Sequence, residues 1–82
     1  NFEHANTENL FKMFDMFELE AKALVEKKLS LPAYDQCLKA SHVFNILDAR
    51  GVISVAQRAG YIGRIRDITK GAAEIWLNSQ TK

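Results

Sequence analysis

The sequence predicts an all-α protein, an antiparallel three-helix bundle, and three observations carry that expectation. Apolar residues recur at spacings of three and four through three separate stretches. Helix punctuation falls between the stretches: a proline at Pro32, a glycine at Gly51, and a serine at Ser54 followed three residues later by Gln57. The connections this leaves, at about 29–31 and 51–53, are short, and short loops join helices that lie antiparallel. The 82 residues form one small helical domain. A core of that size is expected to contribute roughly 3 to 5 kcal/mol without disulfides or a metal.

In the first helix Leu10, Met13, Phe14, Phe17, Ala21, Leu24 and Val25 fall on one stripe, and Asn6 or Thr7 is placed to cap its start. Glu8 with Lys12, Glu18 with Lys22 and Lys22 with Glu26 stand four apart on what reads as a solvated face, each pair adding roughly 0.2 to 0.5 kcal/mol. Met16, Leu19 and Ala23 make a second, narrower apolar line that three helices would have trouble covering. A partner contact there is the expectation.

The second helix is expected from Pro32, whose fixed φ and missing N–H suit a first helical position, to Ala49 or Arg50, with Gly51 in the left-handed conformation just past its end. Ala33, Cys37, Ala40, Phe44 and Leu47 make its apolar stripe. Beside them run Tyr34, Leu38, Ser41, Asn45 and Asp48, which carry polarity to the edge of the core. A half-buried polar group without a partner costs about 1 to 3 kcal/mol, so a hydrogen-bonded network is expected among Ser41, Asn45, Asp48 and Arg66.

Ser54 opens the third helix with a capping box, its hydroxyl accepting from the Gln57 N–H while the Gln57 side chain accepts from the N–H of Ser54. Its apolar stripe is broad: Val55, Ala59, Ile62, Ile65, Thr69, Ala72, Ala73, Trp76 and Leu77, widened by Tyr61, Ile68 and Ile75. Such width implies contact with both other helices. Arg58 and Arg66 project from this apolar sector and need partners, Asp48 or the Asn45 carbonyl being the choice. Gly60, Gly63 and Gly71 share the opposite face with Arg64, Asp67 and Glu74, although glycine inside a helix costs about 1 kcal/mol relative to alanine. Drift at exposed positions explains them, as does close approach by another chain or a nucleic acid backbone.

A hydrophobic fraction of 48%, with one proline and four glycines, excludes a disordered or low-complexity chain. Cys37 is alone, which excludes an internal disulfide and cysteine-rich metal sites and leaves a buried thiol acting as a small hydrophobe. No apolar run approaches the roughly 20 residues of a membrane span, and no secretory signal precedes the helices; a cytoplasmic protein without membrane contact is expected. The absence of an initial methionine reads as a trimmed fragment. The formal charge is +1, but its distribution is uneven: −2 over residues 1–29, −1 over 30–49 and +4 over 50–82. Arg50, Arg58, Arg64, Arg66 and Lys70 could meet phosphates or an acidic protein surface, although a solvated or internally paired set is the plainer reading.

No set of residues assembles a catalytic or metal site. His4 and His42 are far apart and lack the spacing of a metal-binding pair; His42 reads as a hydrogen-bonded structural residue. Asp15 and Glu18 read as exposed carboxylates on a helical face and not as an acid and base pair. The glycines do not form a phosphate loop, which requires a strand before it and a helix after it.

The words NFEHAN, LPAYDQCLKASH, FNILDARGVISV and YIGRIR, in that order over most of the chain, resemble the C-terminal part of the alpha chain of the bacterial glycyl-tRNA synthetase built from separate alpha and beta chains. The resemblance implies a ligase that joins glycine to tRNA(Gly) through an ATP-dependent glycyl adenylate, with Mg2+, and that works as two alpha and two beta chains. The class II signature motifs do not occur here, so the resemblance transfers no catalytic residue and implies no ATP or Mg2+ on this segment. It implies a helical appendage that supports the catalytic core and contacts the beta chain, with proximity to tRNA ranked below these. Candidate partner or tRNA contacts are Arg58, Arg64, Arg66, Lys70, Met16 and Leu19.

Two readings from other classes stand beside it. A stand-alone interaction module would dock through Met16, Leu19 and Ala23, and a small nucleic-acid-binding domain would use the late arginines. The glycines on the outer face of a long last helix weaken a helix-turn-helix reading, and no interleaving of aromatic and basic residues suits stacked bases.

Overall fold

The computed structural model describes the backbone of residues 2–80 and the side chains of residues 7–78. It holds three helices: α1 (Phe2–Glu26), α2 (Ser30–Ala49) and α3 (Val55–Gln80). Each runs antiparallel to the one before it. Asp48 near the end of α2 therefore meets Arg58 near the start of α3, while α1 and α3 run parallel, with Asp15 beside Arg64 and Val25 beside Gly71. The all-α three-helix arrangement is the one expected.

α1 begins earlier than the expected cap: Asn6 and Thr7 lie inside the helix. Both residue types lower helix stability by at most about 0.7 kcal/mol in an interior, too little to stop it. The end of α1 is sharper. Lys28 adopts the left-handed conformation with φ 61°, its N–H donates to the Val25 carbonyl at 2.9 Å, and the Leu29 N–H reaches back to the Leu24 carbonyl at 3.0 Å. This is a Schellman closure built on a lysine instead of a glycine.

α2 starts at Ser30, two residues before Pro32, and the connection before it is 27–29 instead of 29–31. Proline is tolerated throughout the first turn, because none of those N–H groups has a partner within the helix. At the other end Gly51 takes φ 70°, its N–H donating to Asp48 and the Val52 N–H to Leu47, as its position in the sequence implied. The capping box of α3 is also as read: the Ser54 N–H donates to Gln57 Oε1 at 2.9 Å and the Gln57 N–H to Ser54 Oγ at 3.1 Å.

The core contains Leu10, Phe14 and Ala21 of α1, the whole expected stripe of α2 with Val43 added, and only Ile68 and Ala72 of α3. Phe11, Phe17, Leu24, Val25, Tyr61 and Ile65 pack around it. Met13 stays partly exposed. Tyr61 joins the three helices, edge-on to Phe14 at 4.7 Å and tilted against Phe44 at 6.0 Å and Phe11 at 6.2 Å. That aromatic anchor sets the rotation of α3. The buried side of α3 is Tyr61, Arg64, Ile65, Ile68, Ala72 and Ile75, and much of the broad apolar stripe faces outward.

Candidate functional site

The most organised polar group is one the sequence reading missed. Glu18 is buried, and the Arg64 guanidinium takes its carboxylate with two bonds, Nη2 to Oε1 at 2.5 Å and Nε to Oε2 at 2.9 Å. Nη2 also donates to Asp15 Oδ1 at 2.8 Å. The guanidinium carbon lies 4.8 Å from the Phe14 ring centre and 5.0 Å from that of Tyr61, so the cation is held by rings as well as by charge. The hydrogen bond from Arg64 holds the Glu18 carboxyl below the usual carboxylate range against the opposing effect of burial. The bond to Glu18, joined by that to Asp15, raises the Arg64 pKa. Both groups are ionised, matched and screened by aromatic rings, which suits holding α1 to α3 and not proton transfer.

Glu18 is thus not on a solvated face, although its expected partner Lys22 does reach it at 3.9 Å. Lys39 and Asp35 form another pair four apart, at 3.3 Å. Arg64 does not stand free on an outer face with the glycines. Gly71 is close to α1 of the same chain: a Cβ built there would lie 3.4 Å from Val25 Cγ1. A Cβ at Gly60 or Gly63 would meet open space.

Asp48 pairs with Arg58, as one of the expected choices had it, through Nη2 at 2.6 Å and Nε at 3.1 Å to Oδ1. The pair is partly solvated, with the arginine side chain 51% and the aspartate 33% exposed, so it is not a buried network. Among the described residues no side-chain hydrogen bond joins Ser41, Asn45 or Arg66 to Asp48 or to one another. Asn45 on α2 and Arg66 on α3 are both exposed, Arg66 because α3 has turned to bury Tyr61. His42 is exposed on the outer side of α2, and the side chain of His4 lies outside the described residues. Cys37 is buried as expected; burial raises its pKa, while a hydrogen bond with the Thr69 side chain acts the other way.

Two exposed apolar surfaces remain. Met16 and Leu19 of α1, 64% and 65% exposed, form the outer line read from the sequence. The second lies along the α2–α3 seam: Leu31, Tyr34 and Leu38 of α2 and Ile62 and Trp76 of α3 are all exposed. Where the seam opens there is a cavity of about 320 Å³ lined by Ser30, Leu31, Tyr34, Thr69, Ala72, Ala73 and Trp76. Arg66 and Lys70 are exposed nearby on α3 and form no ion pair among the described residues. Helical spacing in the sequence pointed to most of these side chains, but assigned those on α3 to the core.

The fold and these surfaces define a three-helix, all-α module with exposed apolar lines and, among the described residues, no group of three or more His, Cys, Asp or Glu side chains that could hold a metal. No helix among them is long and apolar enough to cross a membrane. Residues 1–81 match the family described as glycyl-tRNA synthetase alpha subunit, and the chain belongs to that family.

Proposed function

We propose that this chain is the helical C-terminal region of the alpha chain of a glycine-tRNA ligase, and that it braces that chain and contacts other subunits without carrying the reaction centre. The whole enzyme would join glycine to tRNA(Gly) in the cytoplasm through an ATP-dependent, Mg2+-requiring glycyl adenylate, as two alpha and two beta chains. The family match supports the enzyme reading. The contact reading is carried by one observation: Leu31, Tyr34, Leu38, Ile62 and Trp76 are large apolar side chains left exposed along α2 and α3. Phosphate binding is less well supported, because Arg58 and Arg64 are already engaged by carboxylates. The test compares the full alpha chain with and without this region. Assembly with the beta chain is expected to be lost on its removal, while glycyl adenylate formation persists at a reduced rate. Full assembly without the region would reject the contact reading.

A further inference from the structure

The seam between α2 and α3 has two unlike ends. At one end Leu31, Tyr34, Ala73 and Trp76 surround the 320 Å³ cavity, enough room for one bulky apolar side chain. Toward the other, short of the Asp48–Arg58 pair that closes it, Ser41, Asn45 and Arg66 present hydrogen-bonding groups and a positive charge with no side-chain bonds among themselves. Positions 62, 66, 69, 73 and 76 are spaced four, three, four and three, a continuous line along α3, and 34, 38, 41 and 45 repeat that spacing along α2. The two lines therefore run along the two walls of the α2–α3 seam, and the cavity opens between them at the Leu31 and Trp76 end. Lys70, one turn from Arg66, adds a second unpaired cation at the rim of the seam.

We infer that this seam serves as a groove for an amphipathic helix of another polypeptide, one that places a large apolar side chain in the cavity and a carboxylate on Arg66. This rests on the subunit-contact reading and names the surface and chemistry that serve it. Charge complementarity selects the occupant: on α3 the exposed cations Arg66 and Lys70 lie nearer the seam than the exposed Asp67 and Glu74, so the partner's edge that meets Arg66 is acidic. A β-strand is excluded because both walls are helices with no free backbone edge to pair. Nucleic acid is disfavoured because only two unpaired cations flank a largely apolar floor. The middle of the cavity lies near Ala73 and the charge at Arg66, about 10 Å apart along α3 at 1.5 Å per residue. The partner helix should then carry its apolar anchor and its acid about seven positions apart, two turns on one face.

The experiment uses the intact enzyme of alpha and beta chains, with a photo-crosslinking phenylalanine derivative in place of Leu38. The expected product joins it to a helical peptide of the beta chain that bears an anchor and an acid at that spacing. Crosslinks only within the alpha chain, to a second alpha chain or to tRNA, or none at all, would overturn the inference. Arg66→Glu is expected to weaken alpha–beta association at least about tenfold at low salt. Exchange of the identified acid for lysine should restore it; an unchanged affinity, or no restoration, counts against the groove. Ala73→Phe, which fills the cavity, should weaken association while leaving the thermal melt of the alpha chain in place. If the beta chain stays bound but the groove variants have no effect, the docking surface is wrong while the subunit-contact reading survives. If removal of the whole region leaves assembly intact, that reading fails as well.

Discussion

Arg64 and Glu18 meet side by side across the α1–α3 interface, both carboxylate oxygens accepting from one guanidinium that Phe14 and Tyr61 flank. Removing one partner of a buried pair leaves a desolvated charge behind, a loss of roughly 3 to 5 kcal/mol when both groups are fully enclosed. The Arg64 side chain is 37% exposed, so solvent screens part of this, and Glu18→Ala is expected to cost about 2 kcal/mol in urea unfolding. Arg64→Lys keeps the charge but loses the fork and the ring contacts, and should cost about 1 kcal/mol. Equal stability of the lysine variant and the parent would reduce the contact to simple charge attraction.

The same pair sets an acid limit. Arg64 lowers the folded-state pKa of Glu18 beneath its ordinary value of 4.5, so the folded protein releases this proton more readily than the unfolded chain. The resulting stability is fully present above about pH 4.5 and fades as pH falls through the lower folded value. Glu18→Gln should flatten the stability profile in that acid window while the parent declines through it. Denaturant midpoints measured from pH 6 to about pH 2 decide the matter; parallel curves for the two proteins would remove Glu18 from the acid response.

Asp48→Ala offers a contrast. A buried Asp48 would have made this substitution cost about 3 kcal/mol. Its pairing with Arg58 is instead partly solvated, and exposed pairs contribute about 1 kcal/mol or less. A small loss that shrinks further in high salt is expected from chemical denaturation with and without added salt.

What the sequence made legible was local. The Ser54 and Gln57 exchange spans three residues, and the Gly51 closure needs only the end of one helix, so both could be read without knowing what packs where. The α2 stripe was legible because its apolar positions are few and narrow. α3 was not, since its apolar residues cover so much of its circumference that several rotations bury a comparable area. The choice falls to Tyr61, whose ring partners Phe11, Phe14 and Phe44 lie on two other helices. Turning Tyr61 inward carries Arg64 with it, to a carboxylate 46 residues away, and turns Ile62, Ala73 and Trp76 toward solvent. No spacing within α3 encodes that pairing.

The two Schellman closures make a matched experiment. Lys28 and Gly51 occupy equivalent left-handed positions, with φ 61° and 70°. A residue with a Cβ is strained there by about 1 kcal/mol, and glycine is not. Lys28→Gly should therefore stabilise the fold by up to about 1 kcal/mol, and Gly51→Ala should destabilise it by a similar amount. A Cβ at Gly51 would meet nothing within 4 Å, so the loss there is conformational and not steric. Thermal melts that move in the same direction for both substitutions would contradict this account.

The helical glycines of α3 offer the last test. Gly60 faces open space, and alanine there should stabilise the chain by about 1 kcal/mol through helix propensity alone. Gly71 is the demanding case, because its new methyl would sit 3.4 and 3.5 Å from the two Val25 methyls, at the inner edge of ordinary van der Waals contact. Gly71→Ala is expected to keep the propensity gain and add a small packing gain against α1, so that its stability equals or exceeds that of Gly60→Ala in urea unfolding. A loss of stability at Gly71 alone would show that the contact with Val25 has no room for a methyl, and that the glycine sets how closely the two helices approach.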